Sequence, residues 1–126
     1  MRWLISCLLV ATALSTPTLA AEQRSCRFEL AVFPTSPPKP TDFRMILAAK
    51  ESAARVRVEG SGEWAGRRAR FTTGAETVTF DTNAVRETVT IGAGGKVLWE
   101  IDYFDKAAAG ERVIAFAGLC APWSAQ

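Results

Sequence analysis

Residues 85–103 read VRETVTIGAGGKVLWEIDY, in which apolar and polar side chains alternate over 85–91 and again over 96–103. An alternation with a period of two is typical of a β-strand that buries one face and exposes the other. The sequence Gly92-Ala93-Gly94-Gly95 separates the two halves, and a glycine-rich break of this kind predicts a tight turn. We therefore expect an antiparallel β-hairpin in this part of the chain.

The same alternation recurs along most of the chain. It is found at residues 28–33, 55–59, 68–72, 76–80 and 112–119. Seven or eight short strands at close spacing predict an all-β fold, a small antiparallel meander. Two arrangements of this meander remain open, because a closed barrel and a two-layer sandwich are built from the same strand pattern.

Residues 42–55 are ambiguous, because their composition favours a helix while their neighbours favour strands. Met45, Leu47 and four alanines have high helix propensity. A strand over 43–48 and a turn at 50–52 would give the strand beginning at Arg55 an antiparallel partner directly before it. We therefore interpret the segment as a hairpin, with a helix as the alternative.

Residues 1–20 have the features of a Sec-type signal peptide. A short cationic start precedes an apolar run, residues 4–14, that is shorter than the roughly 20 residues needed to span a bilayer. Thr18 and Ala20 are small residues at the positions that a signal peptidase requires, so we expect cleavage after Ala20. The prediction is a periplasmic or secreted protein with one domain, residues 21–126, and no membrane anchor after processing.

Two of the three cysteines, Cys26 and Cys120, lie beyond the expected cleavage site. In an exported chain such a pair is expected to form a disulfide, which here would join the two ends of the domain. Closing so long a loop stabilises a fold by about 4 to 5 kcal/mol in the chain-entropy model. Cys26 shares strand parity with Phe28, Leu30 and Val32, so we expect all four side chains to face the core.

The chain contains no histidine. This excludes Ser-His-Asp and Cys-His catalysis and the usual imidazole metal sites. Glu100, Asp102 and Asp105 are the best acidic group for paired-carboxylate chemistry or cation binding, and we interpret them as a solvated outer face. The sequence therefore predicts a protein that is not an enzyme and has no metal site and no cofactor.

Positive charge is concentrated in one predicted hairpin. The candidate binding residues there are Arg55, Arg57, Trp64, Arg68 and Arg70. If Arg55 and Arg57 lie across from the other two arginines, like charges oppose each other, and an anionic ligand or an acidic protein partner would relieve the repulsion. Trp64 follows a glycine turn and is a candidate contact residue. Nucleic acid is not an expected partner, because no aromatic platform interleaves the arginines.

The function that we expect is binding, by a monomer or weak dimer that presents the basic hairpin and its loops to an anionic ligand or a periplasmic protein. The small, exported, disulfide-closed β fold is similar in outline to periplasmic lysozyme inhibitors, and Ser61-Gly62 matches the Ser-Gly of their inhibitory loop. That resemblance implies a barrel that plugs the cleft of a cell-wall-active enzyme. The tyrosine and the Lys-Gly loop of those inhibitors have no counterpart here.

The alternative function is a lipocalin-like carrier that holds a small apolar ligand inside the barrel. It is motivated by five apolar residues that the alternation places on the inner face, Val78, Phe80, Val89, Trp99 and Ile101.

Overall fold

The computed structural model describes residues 22–82, 85–103 and 112–125, which form nine β-strands. The strands are β1 (Glu22–Val32), β2 (Lys39–Lys50), β3 (Ala53–Val58), β4 (Gly62–Arg70), β5 (Glu76–Thr82), β6 (Val85–Ile91), β7 (Lys96–Tyr103), β8 (Ala115–Cys120) and β9 (Ser124–Ala125). The predicted signal peptide and Asp105 lie outside the described residues. None of these residues belongs to a helix with the length and hydropathy of a transmembrane span.

The strands form one antiparallel sheet that closes on itself. Neighbours in the chain pair from β2 through to β8, β8 pairs with β1, and β1 pairs back with β2. The short β9 adds to the first residues of β1, with Glu22 opposite Ala125. The all-β meander is therefore confirmed, and of the two arrangements left open it is the barrel that forms.

Residues 42–55 form a hairpin, as interpreted from the sequence. β2 continues to Lys50, Glu51 turns the chain with a positive φ of 56°, and β3 begins at Ala53. Met45 and Leu47 are completely buried on the inner face of β2. Burial of alternate residues on one face of a sheet therefore outweighs the helix propensity of the segment.

The disulfide joins the first and the eighth strand, as predicted. Cys26 and Cys120 are directly opposite each other in the β1–β8 pair and form the bond. The expected parity beyond Phe28 is wrong, however, because Leu30 is 38% exposed while Ala31 is buried. A bulge between Phe28 and Leu30 shifts the register and reverses the faces of the residues that follow.

The interior of the barrel is divided into an aliphatic and an aromatic part. The aliphatic part consists of Met45, Leu47, Val56, Val78, Val89 and Ile91. The aromatic part consists of Phe28, Phe43, Trp64, Phe80, Trp99 and Phe116, whose ring centroids lie 4.9 to 6.3 Å from their neighbours. Val78, Phe80, Val89 and Trp99 face inward as predicted, and Ile101 is partly buried against them.

Candidate functional site

The register of the β3–β4 hairpin separates the predicted arginines. Its turn pairs Val58 with Gly62, which places Arg55 opposite Ala65 and Arg57 opposite Glu63. Arg55 and Arg57 therefore do not lie across from Arg68 and Arg70, and the like-charge repulsion considered for that case does not arise, because Arg68 and Arg70 lie beyond the start of β3. Arg55 and Arg57 point to the outside of the barrel, whereas Arg68 is buried.

A cavity of about 570 Å³ lies on the outside of this hairpin, and we call it the hairpin cleft. It is lined by Arg44 and Ile46 of β2, Arg57 and Val58 of β3, and residues 59–63 of the turn and β4. Among the described residues, neither Arg44 nor Arg57 forms an ion pair. The cleft thus presents two exposed guanidinium groups beside the Gly60-Ser61-Gly62 turn.

Acidic groups also border the hairpin cleft. Glu59 accepts a hydrogen bond from the backbone N–H of Arg44, with 3.3 Å between the two atoms. Glu63 forms an exposed ion pair with Arg55, in which nitrogen and oxygen are 2.9 Å apart. Arg55 is therefore neutralised locally and lies outside the cleft, so Arg57 is the predicted arginine that this site retains. Arg44 was not predicted, although its alternation with Phe43 and Met45 places it on the outer face of β2.

Trp64 is half-buried and does not stand free in solvent. Its ring stacks on Phe80, with centroids 5.9 Å apart and planes inclined by 27°. It belongs to the aromatic part of the interior, because it alternates with outward-facing Glu63 and Ala65. Its candidate role as a contact residue would be limited to the exposed edge of the ring.

Arg68 and Arg70 belong to a second group at the opposite end of the barrel, which we call the charged end. Its members are Glu22, Arg24, Arg68, Arg70, Glu76 and Trp123. Nη1 of Arg68 lies 2.8 Å from Oε2 of Glu22, and Nη2 of Arg70 lies 2.5 Å from the same oxygen. The hydrogen bond from Arg68, assisted by the charge of Arg70, holds the pKa of Glu22 below its ordinary value.

The remainder of the charged end surrounds a buried carboxylate, that of Glu76, which is 5% exposed. Its Oε2 accepts hydrogen bonds from Nη1 of Arg24 at 2.8 Å and from Nε1 of Trp123 at 2.5 Å. The guanidinium groups of Arg24 and Arg68 lie 5.3 and 5.1 Å from the centroid of the Trp123 ring. These cation–π contacts and the ion pair order the segment that follows the disulfide.

A second buried glutamate, Glu87, lies among the aromatic residues. It accepts hydrogen bonds from Nε1 of Trp99 at 2.7 Å and from the hydroxyl of Thr82 at 2.8 Å. Burial raises the pKa of Glu87, because no cation among the described residues pairs with it. Neither Glu76 nor Glu87 was predicted as a site residue.

The described residues contain no group of three or more His, Cys, Asp or Glu side chains that could hold a metal ion. Glu100 and Asp102 are exposed on the outer face of β7. Their geometry thus fits the solvated face that the sequence suggested.

Comparison with known proteins does not assign the chain to a family. No model of a protein family matches it, and no curated protein and no solved structure matches it either.

Proposed function

We propose that this chain is a small exported, non-enzymatic binding protein that presents the hairpin cleft to an acidic site on a protein partner. The observation that carries the proposal is the pair of arginines, Arg44 and Arg57, that line one cavity without an ion pair among the described residues. Guanidinium groups bind carboxylates through charge-assisted hydrogen bonds, which are about twice as strong as neutral ones. An acidic partner would therefore supply the direct ion pairs that Arg44 and Arg57 do not form among the described residues, although Glu59 and Glu63 also line the cleft.

The turn beside the arginines supports a protruding contact. Gly60 has a φ of 80°, and a Cβ built on it would meet no atom within 4 Å. Ser61 lies at the tip, where its hydroxyl and the neighbouring backbone can donate hydrogen bonds to a partner. A narrow, exposed turn beside two arginines that form no ion pair among the described residues is suited to contacting carboxylates in a groove.

Cell-wall-active glycosidases are a candidate class of partner. Such enzymes commonly place two carboxyl groups about 5 to 9.5 Å apart across the scissile bond. The two arginines and Ser61 of the hairpin cleft could bind such a pair of carboxylates and block the active site of the enzyme. This proposal includes the inhibitor function that the Ser61-Gly62 match implied.

A lysozyme turbidity assay tests the inhibitor proposal. The oxidised protein is expected to slow the clearing of a bacterial cell-wall suspension, and Arg44→Gln with Arg57→Gln should weaken that protection at least tenfold. Arg67→Gln with Arg112→Gln is the matched control, because it likewise removes two exposed positive charges and neither residue lines the cleft. Absence of protection by the unaltered protein, or an equal loss in the control, would reject the proposal.

The alternative proposal, a carrier of an apolar ligand, is supported by the inward-facing aromatic residues. In the structure those rings pack on one another, and Phe28 and Trp99 are 5.6 Å apart. A ligand would therefore have to displace a packed ring. A titration of tryptophan fluorescence with fatty acids and quinones tests this, and an unchanged spectrum would remove the carrier.

A further inference from the structure

A second cavity, of about 440 Å³, opens at the charged end, far along the strands from the hairpin cleft. It lies between the loop that joins β4 to β5 and the turn that joins β6 to β7. The side chains that matter in it are Arg70, Phe71, Glu76, Pro122 and Trp123. Its volume is within the range of about 300 to 1,000 Å³ that is usual for small-molecule sites.

Glu76, which lines this cavity, has a carboxylate oxygen with unused bonding capacity. Oε1 of Glu76 is buried and has no hydrogen-bond partner among the described residues, whereas Oε2 of the same group accepts two hydrogen bonds. Nε of Arg70 is 3.9 Å from Oε1, which is too far for a hydrogen bond. Buried carboxylate oxygens are normally satisfied, so this one calls for an N–H donor.

The rim supplies a cation and an apolar surface. The side chain of Arg70 is 55% exposed, and Phe71 beside it is 52% exposed. The charged end contains three arginines and two glutamates, so its formal charge is +1. A negative group is therefore favoured at the rim, a positive group is favoured at Oε1 of Glu76, and an apolar group is favoured against Phe71.

We propose that this cavity binds a free α-amino acid with an apolar side chain. The ammonium group donates to Oε1 of Glu76, the carboxylate accepts from the guanidinium of Arg70, and the side chain packs on Phe71. For this the guanidinium of Arg70, which is hydrogen-bonded to Glu22, turns toward the ligand carboxylate, and this movement opens the way to Oε1. A neutral zwitterion leaves the charge balance of the surrounding ion pairs unchanged.

An NMR titration of the oxidised, ¹⁵N-labelled protein tests the site, because the indole N–H of Trp123 is bonded to Glu76. L-phenylalanine is expected to shift that indole signal and the amide signals of Gly74 and Gly92 in a saturable manner. The indole signal of Trp99, which is bonded to Glu87 in the aromatic part, should not move. 3-Phenylpropanoate lacks the ammonium and 2-phenylethylamine lacks the carboxylate, so each should bind at least tenfold more weakly.

The variant Arg70→Gln sharpens the test without removing a buried charge. It should weaken binding of L-phenylalanine at least tenfold and should not weaken binding of 2-phenylethylamine, whose ammonium no longer meets the charge of Arg70, while Arg55→Gln alters neither. The proposal is overturned if L-phenylalanine gives no saturable shift at about 10 mM, where a ligand with a Kd of about 1 mM is nearly saturated. It is also overturned if Arg70→Gln binds L-phenylalanine as the unaltered protein does. Neither outcome bears on the hairpin cleft.

Discussion

The two ends of the barrel bury glutamates in opposite ways. At the charged end, Glu76 is paired with Arg24, and Glu22 is held by two further arginines. The other end holds the aromatic part of the interior, and we call it the aromatic end. Its carboxylate, that of Glu87, accepts hydrogen bonds only from neutral donors among the described residues. The pKa of Glu22 is consequently lowered and that of Glu87 is raised.

The difference shows that the direction of a carboxylate's pKa shift in this barrel follows from the charged groups around it. Both ends contain glutamates within the same closed sheet, yet only the charged end pairs its glutamates with guanidinium groups. Counter-charges stabilise the ionised carboxylate at the charged end, whereas at the aromatic end burial without a paired cation raises the pKa of Glu87. Ligand binding inside the barrel through charge is therefore expected at the charged end. At the aromatic end it is expected only on the outer surface, in the hairpin cleft.

The largest expected effect is that of removing the disulfide. The two ends of the barrel are expected to depend on this bond to different degrees. Cys26→Ser with Cys120→Ser should lower the free energy of unfolding by about 4 to 5 kcal/mol, because the bond closes a loop across nearly the whole domain. The charged end should loosen more, because Trp123 follows Cys120 by three residues. Urea unfolding measures the total loss, and the indole signals of Trp123 and Trp99 report the two ends.

Dithiothreitol should reproduce this loss in the unaltered protein, since it breaks the same bond. Equal broadening of both indole signals would show that the disulfide does not favour the charged end.

The next effect is that of removing the counter-charge of Glu76. Arg24→Met keeps much of the volume of the arginine but leaves the buried carboxylate without its cation, so it should destabilise the protein by about 3 to 5 kcal/mol. Arg27→Met is the matched control on the same strand, because the ion pair of Arg27 with Asp42 is exposed. The control should change stability little, and urea unfolding of both variants measures the contrast. Similar losses in the two variants would contradict the distinction between buried and exposed pairs.

Much of the fold could be predicted from the sequence because apolar residues of the buried face alternate with polar residues in most strands. The hairpin at residues 42–55 followed from the need of β3 for a partner. The bulge after Phe28 could not be predicted, because neither Gly nor Pro marks it in β1. The need for glycine at position 118, opposite Phe28, is also evident only from the structure, where a Cβ would collide with the carbonyl oxygen of Arg27.

The candidate sites were less accessible to sequence reasoning, although a signal was present. Arg24, Glu76 and Glu87 each stand in phase with buried apolar residues of their strands, and a charged residue at such a position predicts a buried polar contact. The partner is a different matter, because Arg24 and Glu76 are 52 residues apart and meet only when the barrel closes. Arg44 and Arg57 likewise share a cleft through strand register.

The smallest and most specific effect is on the pH dependence of stability. Because the folded pKa of Glu87 is raised above its ordinary value of 4.5, the folded state binds more protons than the unfolded chain above that pH. The contribution of Glu87 to the free energy of unfolding is therefore complete below pH 4.5 and is lost as the pH rises through the folded pKa. Glu87→Gln retains an acceptor for Trp99 and should abolish this decline.

Glu22 has the opposite sign and supplies the control for that experiment. Its folded pKa is lowered below 4.5, so its contribution is present above that value and is lost as pH falls through the folded pKa. Glu22→Gln should therefore flatten the acid side of the stability profile, whereas Glu87→Gln flattens the side above pH 4.5. Urea unfolding between pH 3 and pH 8 measures both profiles. If both variants flatten the same side of the pH profile of stability, the pKa values of Glu22 and Glu87 are not shifted in opposite directions.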